Sequence, residues 1–221
     1  MESLFYFFNQ NNVIFELWGY KMSMVELLAT AFNFVAVWLS AKEKVSSWWL
    51  GIIGVTLFGI LFFQINLYAD MFLQIFFFVT NCIGWYQWTH PPKGLENQRN
   101  ELKVTLLNPT NRFINIISIL FLTIILGRFF AHIHEYLPDY FQKPASFPYT
   151  DSFIMAGSII AQVLLMRKKL ESWVLWIIVD VVAIAVYAQK EIYLTSILYF
   201  LFLLIAIQGL IEWRRSLKVI H

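Results

Sequence analysis

The sequence predicts an all-α membrane protein in which seven transmembrane helices form two parallel three-helix repeats joined by a linker helix. Two observations predict this class: 59% of the 221 residues are hydrophobic and only 14% are charged, and the chain matches itself at an offset of 125 residues. The mean hydropathy of +0.64 is far above that of soluble domains. A soluble globular fold is therefore excluded.

Seven apolar stretches are long enough to cross a bilayer, whose core of about 30 Å needs about 20 apolar residues per helix. They are residues 24–41, 48–66, 71–89, 113–130, 152–166, 173–189 and 192–211. Residues 1–23 mix Phe and Leu with Asn, Gln and Glu, so they are expected to lie in the membrane interface. They lack a basic start and a small-residue cleavage site, and no removable signal peptide is predicted.

These stretches define the predicted domain organisation and its orientation. The interfacial segment is followed by a first repeat, a cytoplasmic loop, a connector helix, an outer loop, a second repeat and a cytoplasmic tail, at 24–89, 90–112, 113–131, 132–151, 152–213 and 214–221. Twelve of the sixteen Lys and Arg residues follow odd-numbered spans. Because positive charge is retained in the cytoplasm, the N-terminus is predicted outside and the C-terminus inside. The net charge of +2 is thus a topology signal and not a nucleic-acid footprint.

The internal repeat aligns residues 44–88 with residues 169–213 without a gap. The matched pairs are Ser47 with Ser172, Trp48 with Trp173, Gln64 with Gln189, Tyr68 with Tyr193, Gly84 with Gly209, and Trp88 with Trp213. Matches of Trp, Gln, Tyr and Gly are far less common by chance than matches of Ile and Leu. The fourth span has no counterpart, and as a connector it lets both copies face the same way, with a solute site expected between them. A purely structural bundle is the alternative.

Asp180 is the clearest candidate for a functional side chain, because an ionisable group at the centre of a span costs about 3 kcal/mol. Trp176 and Trp173 precede it by four and seven residues and share its helix face. Two indoles beside an acid suit a flat solute that is cationic or carries hydroxyl groups. The alternatives are interfacial anchoring for Trp173 and a helix-packing hydrogen bond for Asp180.

Further polar residues predict a polar cavity within the membrane. The first repeat contributes Asn33, Gln74 and Asn81, and the second contributes Ser158, Gln162 and Tyr199. For each one, a hydrogen bond to a neighbouring helix, worth about 0.6 kcal/mol, is the alternative. The counterparts of Trp176 and Asp180 are Gly51 and Val55, so the first repeat does not supply the same chemistry.

Several function classes are excluded by what the spans lack. No Lys or Arg lies near the membrane centre, and Arg128 is close to the end of the fourth span, so a phosphorylated solute would have no counter-ion. There is no Walker motif, metal-ligand cluster or nucleophile–base pair, so neither an enzyme nor a cofactor is predicted. The one cysteine, Cys82, excludes an intramolecular disulfide. A single buried acid gives no proton relay, which favours passive exchange.

Three features of the chain occur together. They are the Trp173-x-x-Trp176 pair followed by Asp180, the Gly84-Trp85-Tyr86-x-Trp88 end of the third span, and the duplication itself. In combination they resemble the PnuC-type nicotinamide riboside transporters, bacterial relatives of the SWEETs. The resemblance implies a SWEET-like 3+1+3 fold in the inner membrane, uptake of nicotinamide riboside by facilitated diffusion, trapping by a cytoplasmic kinase, and a homotrimer.

The resemblance also implies roles for the candidate side chains. Trp173 and Trp176 would stack on the nicotinamide, while Asp180 with Gln74 and Asn81 would hold the ribose or the carboxamide, and rocking of the two repeats would give alternating access. Carriers of thiamine or riboflavin share the scaffold and remain alternatives. So does a membrane subunit that binds a ligand without moving it.

Overall fold

The computed structural model describes residues 12–17, 20–64, 68–136 and 145–219, and the chain divides into two compact units, Met1–Leu102 and Lys103–His221. Within the described residues there are one two-stranded sheet and eight helices. In chain order they are β1 (Val13–Leu17), β2 (Tyr20–Ser23), α1 (Met24–Ala41), α2 (Ser46–Gln64), α3 (Tyr68–Thr89), α4 (Pro109–Ala131), α5 (Ile133–Tyr136), α6 (Pro148–Met166), α7 (Glu171–Gln189) and α8 (Tyr193–Val219).

The first unit is a three-helix bundle preceded by a β-hairpin. β1 and β2 pair antiparallel, with Val13 opposite Ser23. Ser23 then caps α1, because its side-chain oxygen accepts a hydrogen bond from the Glu26 amide at 3.3 Å. α2 packs against both α1 and α3. The hairpin lies in the segment predicted to be interfacial, whose residues 1–11 and 18–19 are outside the described part of the chain.

The second unit contains α4 to α8 and an extended segment, residues 103–108, which we call the strap. Asn108 ends the strap and caps α4, because its side-chain oxygen accepts a hydrogen bond from the Asn111 amide at 2.7 Å, and Pro109 occupies the first turn, where no amide donor is needed. α6 packs against α4 and α7, and α7 packs against α8. The strap pairs with the turn between α6 and α7 through a parallel bridge from Thr105 to Lys169.

Six of the helices, α1, α2, α4, α6, α7 and α8, are long and apolar enough to cross a membrane. The chain is therefore a multi-pass membrane protein with at least these six candidate spans. α3 occupies the predicted third span, but the side chains of residues 68–70 and 72 are not described. The seven-span count stays a prediction. The end of the predicted second span at 65–66, part of the outer loop at 137–144 and the last two residues also lie outside the described chain.

The two units share the same local structure at the repeat offset. α2 and α7 begin and end 125 residues apart. The turns before them share an unusual feature, since Glu43 and Lys168 have positive φ angles of 56° and 52°. The two units therefore have the same turn before this helix, including one residue with a positive φ angle at the equivalent position.

An equivalent pair of tryptophans packs together in each unit, and we call each pair, with the glycine beside it, the corner of that unit. Trp48 meets Trp88 edge-on, with ring centroids 5.1 Å apart, and Trp173 meets Trp213 edge-on at 5.5 Å. All four indoles are buried. A glycine makes room for each first indole: a Cβ at Gly209 would lie 2.6 Å from ring carbons of Trp173. The equivalent Cβ at Gly84 would lie 2.7 Å from Cζ2 of Trp48.

Candidate functional site

One face of α7 carries the chemistry that the sequence indicated. Asp180 is at the centre of this 19-residue helix and only 3% exposed. Trp176 lies one turn before it, and Tyr187 lies two turns after it on the same face. Tyr187 stacks on Tyr199 of α8, with ring centroids 5.3 Å apart and an interplanar angle of 12°. Along this face, the carboxylate therefore lies between an indole on one side and a pair of stacked phenol rings on the other.

The aromatic side chains of this face pack around a small apolar cluster. Its buried members are Ile154, Val179, Ala183 and Val186, and Trp176, Tyr187 and Tyr199 pack against them. Since Ile154 belongs to α6, three helices of the second unit hold the aromatic side chains in place. We call Trp176, Asp180, Tyr187 and Tyr199 the α7 site.

No ion pair of the described residues neutralises Asp180. The pairs found are Arg112 with Glu171, His134 with Glu135, and Lys190 with Asp151. The first and third of these involve acids at the ends of α7 and α6, outside the middle of the spans. Tyr199 lies within electrostatic range of Asp180. A carboxylate at mid-span without a cationic side chain is suited to accept its counter-charge from a solute.

Trp173 is placed differently from Trp176, although the sequence put both indoles on one helix face. It is 1% exposed, and its ring lies between the Gly209 backbone and the edge of Trp213. Trp48 has the same surroundings in the first unit. Trp173 therefore belongs to the corner of the second unit, which has an equivalent in the first unit. Trp176, in contrast, is half-buried at the edge of the apolar cluster.

The three amide residues proposed in the first unit all lie against glycines of α2. Asn81 faces Gly51, Asn33 faces Gly54, and Gln74 faces Gly59. At Gly51 and Gly54 the absence of a side chain thus creates a slot for the amide, whereas the Gln74 side chain meets Gly59 in ordinary van der Waals contact. The three residues contact α2 at separate positions along that helix, and the polar cavity stays a prediction.

Two of those amides are partly satisfied by their own helices. The Asn33 side-chain N–H donates to the Ala29 carbonyl at 2.9 Å, and the Asn81 side-chain N–H donates to the Phe77 carbonyl at 2.7 Å. These bonds orient each side-chain oxygen without involving a second helix. The first unit therefore holds oriented amide groups, and the counterpart of Asp180 there is Val55.

Ser158 and Gln162 extend the polar chemistry of the second unit along α6. They follow Ile154 at steps of four residues, so the three side chains form one stripe, and Gln162 is buried. Ile154 is a member of the cluster that supports Trp176. Gly157, on the same helix, allows α6 to approach α7 closely, since a Cβ there would lie 2.6 Å from Val179.

Tyr187 is the residue that sequence reasoning missed. It lies seven residues after Asp180 and eleven after Trp176, so the spacing that linked the indole to the acid also indicated this tyrosine. Its stacking on Tyr199 could not be seen in the sequence, because it depends on how α7 and α8 pack. Among the described residues, no group of three His, Cys, Asp or Glu side chains is placed to hold a metal ion.

Relatives of the chain were found by sequence and by structure. It is 32% identical over 232 residues to the nicotinamide riboside transporter PnuC of Escherichia coli (strain K12), covering 96% of this chain and 95% of the relative. The Neisseria mucosa protein of the same name is 24% identical over 204 residues, covering 89% of this chain and 74% of the relative. Among solved structures, the crystal structure of the vitamin B3 transporter PnuC matches with a TM-score of 0.65 at 22% identity, over 88% of this chain and 82% of that one.

The crystal structure supports the helical fold seen here, and the sequence relatives are transporters and not enzymes. A sequence model of the family described as nicotinamide mononucleotide transporter matches residues 23–215. This match covers the six candidate membrane helices except the last four residues of α8. The chain therefore belongs to the nicotinamide mononucleotide transporter family.

Proposed function

We propose that this protein takes up nicotinamide riboside across the bacterial cytoplasmic membrane. The observation that carries the proposal is the α7 site, in which a buried carboxylate lies at mid-span beside an indole and two stacked tyrosines. Nicotinamide riboside joins a flat cationic pyridinium ring to a ribose, and each part has a matching group in this site. The relatives named nicotinamide riboside transporter, 32% identical over nearly the full chain, support the same substrate.

The charge of the spans favours the riboside over its phosphorylated form. The family description names the mononucleotide, which carries a phosphate. Among the described helices, the basic residues of the spans lie near the ends: Arg112 pairs with Glu171 at the start of α4, and Arg128 is in its last turn. A phosphate at mid-span would meet the Asp180 carboxylate and no cation. The riboside lacks that phosphate and brings a positive charge.

The residues of the site have distinct proposed roles. Trp176 stacks on the pyridinium, which contributes about 2 kcal/mol when the pair is desolvated. Asp180 balances its charge or accepts hydrogen bonds from the ribose hydroxyls, and Tyr187 and Tyr199 cover the remaining ring surface. The stacking role predicted for Trp173 stays a prediction, and its 1% exposure argues for packing instead.

Polar side chains outside the α7 site would contribute hydrogen bonds to the ribose or the carboxamide. Ser158 and Gln162 occupy the α6 stripe next to the site. Asn33, Gln74 and Asn81 are the amide residues of the first unit, and hydrogen bonds to their own helices orient the amides of Asn33 and Asn81.

Facilitated diffusion completes the proposal, with phosphorylation in the cytoplasm making uptake directional. The described spans offer one mid-membrane acid and no basic partner for it, which supports a passive carrier. The proposal includes seven spans in 3+1+3 order, the N-terminus outside, the C-terminus in the cytoplasm and a homotrimer. The distribution of Lys and Arg supports the orientation.

Uptake into proteoliposomes tests the proposal. Purified protein in sealed vesicles should accumulate labelled nicotinamide riboside to the external concentration, and unlabelled riboside should compete. The mononucleotide, thiamine and riboflavin should compete at least tenfold more weakly. Saturable binding without entry would instead identify a ligand-binding subunit, and stronger competition by thiamine or the mononucleotide would contradict the proposed substrate.

The passive mechanism has its own test. A pH gradient imposed across the same vesicles should change the initial rate by less than twofold. A large increase with the interior alkaline would indicate proton coupling and would contradict facilitated diffusion.

A further inference from the structure

The C-terminal end of α8 carries a basic cluster that the proposed transport function does not use. Arg214, Arg215 and Lys218, together with Ile211, lie on one exposed face of α8 and line an open surface cavity of about 370 Å³. The three cations are exposed, and none of them takes part in an ion pair found among the described residues. The group that this cavity would best accept is therefore an anion.

The length of α8 places this cluster at the depth of lipid headgroups. The helix has 27 residues, so at 1.5 Å per residue it is about 40 Å long. The hydrocarbon core is about 30 Å thick and is crossed by about 20 residues. A helix that enters the core at Tyr193 leaves it shortly after Ile211, and the next two turns lie among the headgroups.

An exposed apolar stripe runs along α8 directly into the cavity. Its members are Ile197, Phe200, Leu204, Ile207 and Ile211, all exposed and separated by alternating steps of three and four residues. Such spacing keeps side chains on one face of a helix. Hydrocarbon surface therefore continues without a break into a basic cavity. This arrangement matches a molecule whose anionic group is joined to an acyl chain.

The basic cluster is not part of the structure that the two repeats have in common, because the corresponding end of α3 has different side chains. The counterparts of Ile211, Arg214 and Arg215 are Tyr86, Thr89 and His90. Tyr86 stacks on His90 with ring centroids 4.6 Å apart, and Thr89 donates to the Trp85 carbonyl at 2.8 Å. That end is thus closed by contacts within α3. Lys218 corresponds to Lys93, so Arg214 and Arg215 are the cations that α8 has and the first repeat lacks at these positions.

We propose that the end of α8 is a binding site for an anionic phospholipid. The phosphate of the headgroup occupies the basic cavity, and an acyl chain lies along the apolar stripe. Cations near the end of a helix also offset its dipole, but that effect does not distinguish one lipid from another. The site does not depend on which solute the protein carries.

Lipid counting by native mass spectrometry tests this site on the full chain in detergent. Short-chain phosphatidylglycerol and phosphatidylcholine are titrated in turn, and phosphatidylglycerol should bind more tightly to the unaltered protein. Neutralising all three cations (R214Q, R215Q and K218Q together) should lower its apparent affinity on the order of 100-fold, about fivefold per cation. A second variant, R214K with R215K, keeps the charge and should retain most of the affinity.

A charge-matched control distinguishes a specific lipid site at the end of α8 from a general effect of positive charge on lipid binding. The variant K42Q, K44Q and R167Q also removes three exposed cations from turns predicted to lie on the same membrane face. It should bind phosphatidylglycerol like the unaltered protein. Equal loss in both triple variants, or no loss in the first, would overturn the proposal.

Two further measurements exclude other occupants of the same surface. Inorganic phosphate should not displace the bound lipid at equal concentration, and displacement would identify a site for free anions instead. The mass of the protein–detergent complex should be the same with the stripe intact and with I207S. A change of oligomeric state in I207S would show that a second copy of the chain covers the stripe, and would contradict a lipid site.

Discussion

α2 and α7 occupy equivalent positions in the two units, but they present opposite chemistry to their neighbours. Gly51 and Val55 of α2 correspond to Trp176 and Asp180 of α7. Gly51 leaves a slot that Asn81 fills, whereas Trp176, at the equivalent position of the second unit, packs its indole against the apolar cluster of that unit. The same helix geometry therefore supports an amide slot in one unit and an aromatic acid site in the other.

This difference separates the residues that build the scaffold from those proposed to bind the solute. Positions that match between the repeats, such as Trp48 with Trp173 and Gly84 with Gly209, form the buried corner of each unit. Positions that differ hold the α7 site. Within a duplicated membrane protein, comparison of the two copies can thus distinguish packing tryptophans from binding tryptophans.

The largest effect is expected from removing the charge that distinguishes α7 from α2. Asp180→Asn keeps the shape of the side chain, so the folded yield should not change. Loss of a buried charge partner costs about 2–5 kcal/mol, and the apparent affinity for nicotinamide riboside should fall about 100-fold. Initial uptake rates in proteoliposomes over a range of substrate concentrations measure this change.

Asp151→Asn is the matched control, because that acid pairs with Lys190 near the start of α6 and is 40% exposed. Partly exposed ion pairs contribute up to about 1 kcal/mol, so uptake should change less than fivefold. Similar losses in both variants would remove Asp180 from the proposed site.

Substitution of the corner glycine should change the free energy of unfolding by the same amount in either unit. Alanine in place of a mid-helix glycine ordinarily stabilises a helix by about 1 kcal/mol. At Gly84 and at Gly209 the added Cβ would meet a buried indole, so each substitution should instead destabilise the protein by about 2 kcal/mol. Unfolding by SDS in mixed micelles measures the free energy.

Gly59→Ala provides the control for these two variants. A Cβ at Gly59 would meet only the Gln74 side chain, at 3.7 Å, which is ordinary van der Waals contact. This variant should be more stable than the unaltered protein by about 0.5–1 kcal/mol. Stabilisation by Gly209→Ala would show that the indole corner tolerates extra volume, and would contradict its proposed packing role.

A smaller effect is expected from weakening the aromatic surface of the α7 site. Trp176→Phe keeps a ring but reduces its attraction for a cation, so affinity for the riboside should fall about fivefold, equivalent to about 1 kcal/mol. Trp49→Phe alters an indole of the first unit that is 50% exposed and contacts Trp85. It should leave affinity unchanged in the same uptake assay, and a loss there equal to that of Trp176→Phe would contradict a specific role for Trp176.

The smallest effect concerns the strap, which the described first unit does not have. Both oxygens of Glu171 accept from the Leu107 amide at 3.1 Å, and one pairs with Arg112 at 2.8 Å. Glu171→Gln should lower the free energy of unfolding by about 1 kcal/mol. The counterpart of Glu171 is Ser46, so Ser46→Ala should have no measurable effect on thermal unfolding. An unchanged stability of Glu171→Gln would mean that the strap does not stabilise this unit.

Much of the architecture could be predicted because its signals are local or periodic. Apolar length predicted seven spans, of which six are long apolar helices in the structure, and the register of rare residues identified the repeat. The β-hairpin before α1 was missed, since its short strands lie within a segment whose composition suggested only an interfacial position. The attachment of the strap to the turn before α7 was also missed, because backbone pairing between residues 64 positions apart leaves no periodic signal.

By itself, the sequence determined the membrane class and the duplication, and it singled out Asp180 as the candidate functional side chain. Each of these follows from the cost of placing polar groups in hydrocarbon, which composition and position record directly. Only the tertiary structure decided that Trp173 is buried against Gly209 while Trp176 borders the site with Tyr187 and Tyr199. The physical reason is that α7 is apolar on nearly all sides, so its sequence has no periodicity that distinguishes the faces buried against other helices from those that contact lipid.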